Sequence, residues 1–239
     1  MAKPAAMGQQ LALSLSLNPG YRFESFYGQG NGLAIRLLQA ITQVDGEQQV
    51  YLFARPGCGK THLLQATTQA SAQQQLPAAY LPLSTPSLQP EVLQGLEHLQ
   101  LVCIDDLQMV IGQAAWETAL FDLINRLRAQ RVPLVLSATK APQRLGVVLP
   151  DLLSRLGWGP VLKLEPIAES EIHAALAERC QQLGLTATDA VINYLLSRVP
   201  REPSGLFALL DQLDRACLAA QRRLSIPMIR QHLEQSSAE

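Results

Sequence analysis

The segment of the sequence with the clearest chemical potential is a glycine-rich loop that ends in Gly59-Lys60-Thr61. The loop follows a short apolar run, Val50 to Phe53, and leads into a stretch with helical character, Thr61 to Gln74. Phosphate oxygens are bound well by backbone N–H groups that converge at the start of a helix, where the helix dipole adds a favourable potential. The order strand, loop and helix therefore predicts a phosphate-binding loop of the P-loop type.

The roles of individual loop residues follow from their chemistry. Gly57 and Gly59 allow the tight wrap of the loop. Lys60 is expected to supply a positive charge to the β- and γ-phosphates, and the Thr61 hydroxyl to ligate Mg²⁺. Ala54 occupies the position of the usual first glycine, which its methyl group permits if φ stays negative. The residues predicted to contact the nucleotide in this segment are Pro56, Gly57, Cys58, Gly59, Lys60, Thr61 and His62.

A second apolar run, Leu101 to Ile104, ends in two carboxylates. We expect Asp105 to hold Mg²⁺ through its water shell, and Asp106 to orient or deprotonate an attacking water. Many related ATPases have a glutamate at the second position, and the shorter aspartate predicts slow hydrolysis by this chain alone. Thr139 follows a third apolar run, Leu134 to Ser137, and is either a sensor of the γ-phosphate or an ordinary turn residue.

In the first two thirds of the chain, apolar runs typical of buried strands alternate with helical patterns. The runs lie at residues 50–53, 78–83, 101–104, 134–137 and 161–164. One helix is predicted after Gly30, with Asn31 as its N-cap, and a long amphipathic helix at 114–130. This alternation predicts a parallel sheet that is covered by helices on both faces.

After Pro166 the sequence shows helical patterns only, at residues 169–183, 189–199, 206–222 and 227–234. We therefore predict three parts: a flexible N-terminal arm at 1–20, an α/β nucleotide-binding domain at 21–166, and a helical lid at 167–239.

The composition narrows the possible functions. With 48% hydrophobic and 16% charged residues, the chain is expected to be globular. Its formal net charge of −1 does not favour a surface that grips a nucleic-acid backbone, so DNA contact is expected only indirectly, through a partner. The four cysteines are widely spaced, and neither a signal segment nor a long apolar run is present, which predicts a soluble cytoplasmic protein with reduced thiols.

These motifs, together with several longer stretches, are similar to those of the AAA+ ATPases of the bacterial replication-initiator group, the DnaA-related proteins. The stretches that carry the resemblance are residues 23–26, 59–64, 97–99, 101–105, 121–126, 149–156 and 210–216. The resemblance implies a five-stranded parallel sheet in the order 5-1-4-3-2, an all-helical C-terminal lid, and ADP or ATP with Mg²⁺ as cofactors. Within the group, the chain most resembles the regulatory members that inactivate the initiator.

The resemblance also implies roles for two arginines. Arg155, in the Ser-Arg-Leu segment before Gly157-Trp158-Gly159, corresponds to an arginine finger that acts in trans on a neighbour's nucleotide; without the family it would be interpreted as a surface ion pair. Arg201 lies where the family has the arginine of its sensor helix, although Pro203 replaces an aliphatic residue there. The initiators continue into a DNA-reading domain, which is not expected in this chain.

A short motif in the N-terminal arm resembles the peptides that bind the β sliding clamp of DNA polymerase III. It comprises Gln10, Leu11, Leu13 and Leu15, and in an extended peptide the three leucines point to the same side. An ordinary edge strand that packs on its own domain is the alternative.

Three functional hypotheses remain. In the first, the protein is a negative regulator of replication initiation that docks on the DNA-loaded clamp and stimulates hydrolysis of DnaA-bound ATP. In the second, it is a helicase loader or transposition helper that hydrolyses its own ATP, as the intact Lys60, Thr61 and Asp105 would allow. In the third, it is an adaptor whose nucleotide only stabilises the fold. Homo-oligomers are also compatible with a module that acts across subunit interfaces.

Overall fold

The computed structural model describes residues 17–198, 203–220 and 223–236. Its centre is a sheet of five parallel strands in the order β2-β3-β4-β1-β5. The strands are β1 (Gln49–Phe53), β2 (Ala78–Pro82), β3 (Leu101–Asp105), β4 (Leu134–Ala138) and β5 (Val161–Lys163). The predicted strand order is confirmed, since it is the same sequence of strands seen from the other edge.

Helices cover both faces of this sheet, because alternate side chains of a strand point in opposite directions. In β1, Tyr51 packs into one hydrophobic cluster, while Val50 and Leu52 pack into the cluster on the other face. The helices that cover the sheet are α1 (Gly32–Ala40), α2 (Lys60–Gln73), α3 (Ala114–Ala129) and α4 (Pro150–Leu156).

The lid has a hydrophobic core of its own, built around Leu176, Leu210 and Ile229. Its helices are α5 (Glu169–Gln182), α6 (Asp189–Arg198), α7 (Pro203–Ala220) and α8 (Ile226–Ser236). α7 begins three residues earlier than the pattern predicted, at a proline, which is well suited to the first turn of a helix.

Asn31 is the N-cap residue of α1, as predicted. The residue precedes α1, but it makes no side-chain cap hydrogen bond. Its amide instead pairs with the backbone of Glu165, donating from Nδ2 to the carbonyl oxygen at 2.9 Å and accepting from the backbone N–H at 2.9 Å. Asn31 therefore ties the start of α1 to the segment between β5 and the lid.

Among the helices of the described ranges, none is long and apolar enough to cross a membrane.

Candidate functional site

The loop between β1 and α2 has the backbone conformation of a phosphate cradle. Gly57 and Gly59 both have φ of 83°, a left-handed conformation that favours glycine. A Cβ at Gly59 would also overlap the ring of Phe26. Ala54 is not among the described residues with positive φ, as its methyl group requires. The first N–H groups of α2 have no partner within the helix, so they are available to an anion.

Lys60 points back over this loop. Its Nζ donates hydrogen bonds to the carbonyl oxygens of Ala54 at 3.0 Å and of Arg55 at 3.2 Å, and the side chain is buried. The ammonium group is thus held within the loop by two weak neutral acceptors. Phosphate oxygens carry negative charge and form stronger hydrogen bonds than carbonyl groups do, so a phosphate would draw the ammonium group towards itself.

Asp105, the last residue of β3, is buried and its carboxylate accepts several hydrogen bonds. The hydroxyl of Thr61 donates to it at 2.7 Å and that of Tyr80 at 2.9 Å, and the Ser137 hydroxyl is a further close donor. Burial and the neighbouring carboxylate raise the pKa of Tyr80, so this phenol remains protonated and able to donate. The predicted Mg²⁺ ligands Thr61 and Asp105 therefore lie in contact, and one hydroxyl and one carboxylate suit an ion that keeps most of its waters.

Asp106 does not point freely into solvent. It adopts a left-handed conformation with φ of 62°, and its Oδ1 accepts a hydrogen bond from Gln108 Nε2 at 2.8 Å. The Oε1 of the same glutamine accepts the backbone N–H of Thr139 at 3.1 Å. Gln108 thus links the two residues that were predicted to position water or sense phosphate.

A cavity of about 350 Å³ lies between the loop, the segment before α1 and the lid. This volume is within the range of small-molecule sites. From the loop it is lined by Gly57, Cys58, Gly59, Lys60, Thr61 and His62, and from the lid by Ile167, Arg179, Phe207 and Asp211. Pro56 is exposed in the turn and is not among the lining residues. Arg179 is held by an ion pair with Asp211 at 2.8 Å and brings a second cation to the cavity.

His62 contributes packing rather than charge to this cavity. Its ring stacks on Tyr21 at a centroid distance of 4.6 Å and meets Phe26 edge-on at 5.4 Å. Burial lowers the pKa of His62, and the nearby Arg179 acts in the same direction. The imidazole is therefore neutral near pH 7.

Arg155 lies at the opposite end of the sheet from this cavity. It is in the last turn of α4, where its backbone carbonyl oxygen accepts a hydrogen bond from Gln49 Nε2 at 2.9 Å. Gln49 begins β1, whereas the phosphate loop follows Phe53 at its end, a separation of roughly 13 Å along the strand. The Arg155 Nε donates to Asn125 Oδ1 at 3.0 Å, and the residue is half-buried.

Glu117 of α3 fixes the loop that leads into the Arg155 helix. Its carboxylate, 1% exposed, accepts backbone N–H groups from Gly112 at 2.8 Å, Val148 at 3.0 Å and Leu149 at 2.7 Å. Burial disfavours the charge, but the three backbone donors outweigh it, and the pKa of Glu117 lies below its ordinary value of 4.5. The ionised carboxylate thus joins α3, the loop after β3 and the start of α4.

We expect Glu117→Gln to lower the free energy of unfolding at pH 7 by about 2 kcal/mol. The reason is that the glutamine NH2 group cannot accept hydrogen bonds from the backbone N–H groups that the carboxylate binds. The depressed pKa makes the carboxylate stabilising above pH 4.5, and this contribution is lost as the pH falls through the folded-state value. Urea unfolding should therefore show a smaller difference in the free energy of unfolding between the wild type and Glu117→Gln at pH 3.5 than at pH 7. Glu91→Gln, at an exposed position, is the control; an equal effect of both changes would contradict this role.

Two sets of predicted site residues lie outside the described part of the chain: Arg201, and the clamp motif Gln10, Leu11, Leu13 and Leu15. Conversely, no role was predicted for Tyr80, Gln108 or Arg179. Gln108 could have been noticed from its position three residues after Asp105. Nothing local in the sequence marks Tyr80 or Arg179, because strand pairing and lid docking bring them to the site.

The parallel sheet, the loop after β1, the acidic end of β3 and the helical lid define an AAA+ P-loop module. The chain belongs to the family of bacterial DnaA ATPase domains, whose model matches residues 17–163. Residues 169–233 match the model described as the lid domain of Hda. The resemblance to DnaA-related proteins is confirmed by these matches.

Solved structures agree with this assignment at the level of the fold. Domain III of the replication initiation protein DnaA from Thermotoga maritima is similar with a TM-score of 0.75 and 24% identity, over 92% of this chain and 98% of that one. AMPPCP-bound DnaA from Aquifex aeolicus has a TM-score of 0.68 and 23% identity, over 83% of this chain and 66% of that one. A RuvB mutant from Thermotoga maritima has a TM-score of 0.63 and 19% identity, over 90% and 71%.

Proposed function

We propose that this protein is a nucleotide-bound negative regulator of replication initiation. In this proposal it docks on the DNA-loaded β sliding clamp and stimulates hydrolysis of DnaA-bound ATP through Arg155. The observation that carries the proposal is the place of Arg155 at the far end of β1 from the chain's own phosphate loop. A guanidinium there is badly placed to serve its own nucleotide and well placed to serve a neighbour's.

The chain's own site is proposed to hold ADP or ATP with Mg²⁺. The amides of the loop and Lys60 would bind the phosphates, Thr61 and Asp105 would hold the ion, and the cavity under the lid would take the rest of the nucleotide. The likeness to a DnaA structure determined with AMPPCP supports this assignment. If Arg201 acts as the lid sensor, it would add a further charge from the lid.

Hydrolysis by the chain itself is proposed to be slow. Asp106, the candidate base, is engaged by Gln108, and the glutamine is engaged in turn by the backbone of Thr139. The amide occupies Oδ1, so Oδ2 of this short side chain is the oxygen left to an attacking water. The protein would therefore act mainly by stimulating hydrolysis in its partner.

The overall proposal predicts a clamp-dependent activity. DnaA–ATP hydrolysis should rise when the protein is added with clamp-loaded DNA. The double change Leu11→Ala and Leu13→Ala should return hydrolysis to the level without the protein, because two apolar side chains of the docking peptide are lost. The change Leu17→Ala, outside the motif, is the matched control. Full stimulation by the double variant would contradict docking on the clamp through this motif.

A second candidate function is a stand-alone ATPase that loads a helicase or assists transposition. The observation in its favour is the complete set formed by Lys60, Thr61 and Asp105. Rapid ATP turnover without DnaA, stimulated by single-stranded DNA alone, would support it against the regulatory proposal.

A further inference from the structure

Trp158 holds two guanidinium groups that come from different helices. The Cζ of Arg155, in α4, lies 3.9 Å from the centroid of the indole ring, and the Cζ of Arg128, in α3, lies 3.8 Å from it. Both distances are short for a cation–π contact, which is attractive out to about 6 Å from the centroid. One indole therefore brings two positive charges together at this edge of the molecule.

The position of this ring is set by the start of β1. The backbone N–H of Trp158 donates to the carbonyl oxygen of Arg155 at 3.2 Å, and the Gln49 side chain donates to the same oxygen. Gly159 packs so closely on this strand that an added Cβ would overlap the Gln49 carbonyl oxygen. The indole is thus a fixed platform, and with 37% of its surface exposed it remains open to a partner.

The two charges are not neutralised within the described part of the chain. No carboxylate there lies within 4.0 Å of either guanidinium, and the side-chain hydrogen bond of Arg155 goes to the neutral amide of Asn125. Like charges that contact the same ring repel each other, and an anion that contacts both of them reduces this cost. A guanidinium presents several donors in one plane, which suits phosphate oxygens.

We propose that Trp158, Arg128 and Arg155 form one recognition site for the triphosphate of a nucleotide held by the partner subunit. Trp158 is a positioning residue that fixes the direction of Arg155, and Arg128 is a second cationic contact to the same triphosphate. This inference rests on the proposed function of Arg155 in trans. It extends that function by assigning the indole and the second arginine, which acts from a separate helix.

The test measures stimulated hydrolysis of DnaA–ATP as a function of DnaA–ATP concentration, with the full chain and clamp-loaded DNA. Trp158→Leu is expected to lower the maximal rate about 3- to 30-fold, with partial recovery in Trp158→Phe, because a phenyl ring retains a weaker attraction for cations. Arg128→Ala is expected to raise the half-saturating concentration and to weaken its dependence on salt, because one screened charge is lost. Arg144→Ala, at an exposed site in the same domain, should leave both quantities unchanged.

Fluorescence provides a readout that does not depend on activity. The chain has two tryptophans, so Trp158 is the only one left in a Trp116→Phe background. In that background Arg155→Ala and Arg128→Ala should each change the emission of Trp158; unchanged emission in both would overturn the shared platform. If Arg155→Ala abolishes stimulation while Trp158→Leu and Arg128→Ala have no effect, this inference fails and the proposed function stands. If Arg155→Ala itself has no effect, the proposed function fails.

Discussion

Replacing Arg155 with alanine is expected to lower the stimulated hydrolysis of DnaA-bound ATP by about 10³-fold, the lower end of the range for loss of an arginine finger. The reason is that a guanidinium at the partner's γ-phosphate stabilises charge that develops only in the transition state. The measurement is release of phosphate from DnaA–ATP in the presence of clamp-loaded DNA.

The control variants for this experiment separate position from charge. Arg155→Lys keeps the charge but loses the planar donors, and should recover only a small part of the activity. Arg144→Ala removes the same charge from an exposed position and should retain full activity. Nucleotide and clamp binding by Arg155→Ala should be unchanged, because the side chain lies at the far end of β1 from the loop. Stimulation at the wild-type rate by Arg155→Ala would refute the finger.

The second large effect concerns the chain's own site. Lys60→Ala is expected to weaken binding of ADP or ATP by about two orders of magnitude, because the phosphates would lose a buried positive charge. Without ligand the variant should also lose some stability, since the Lys60 ammonium group donates hydrogen bonds to two carbonyl oxygens of its own loop. Thermal unfolding with and without nucleotide and Mg²⁺, together with calorimetric titration, measures both quantities.

The weaker nucleotide binding of Lys60→Ala can be measured as a smaller stabilisation by the ligand. At a fixed nucleotide concentration well above the dissociation constant, a hundredfold loss of affinity removes about 2.7 kcal/mol of ligand-induced stabilisation. Lys140→Ala is a matched control, because its side chain is exposed while its backbone carbonyl, which accepts from Tyr51, is kept. Equal stabilisation of Lys60→Ala and the wild type by nucleotide would place the phosphates elsewhere.

The phosphate loop could be predicted from the sequence, whereas the surroundings of Arg155 could not. The phosphate loop was predicted because its parts are contiguous: the end of β1, two glycines with left-handed φ and the first turn of α2 all lie within about a dozen residues. The environment of Arg155 was not predicted. Its neighbours Asn125, Arg128 and Gln49 are distant in sequence and are brought together only by the packing of α3 and β1 against α4.

The side-chain partners of the N-cap residue Asn31 were not predicted for the same reason. An asparagine before a helix favours capping locally, but the backbone of Glu165 offers both a donor and an acceptor to the same amide. Two hydrogen bonds to a segment 134 residues away replaced one local cap. A prediction from neighbouring residues alone cannot include such a competitor.

The sequence by itself determined the class of this protein, since apolar runs of strand length, the glycine loop and the acidic end of β3 depend on local order and on backbone geometry. The tertiary structure decided which groups meet: Tyr80 and Ser137 at Asp105, Gln108 between Asp106 and Thr139, and two arginines on Trp158. The physical reason is that these contacts join strands and helices whose spatial order is fixed by sheet pairing and core packing, and such contacts leave no periodic pattern in the chain.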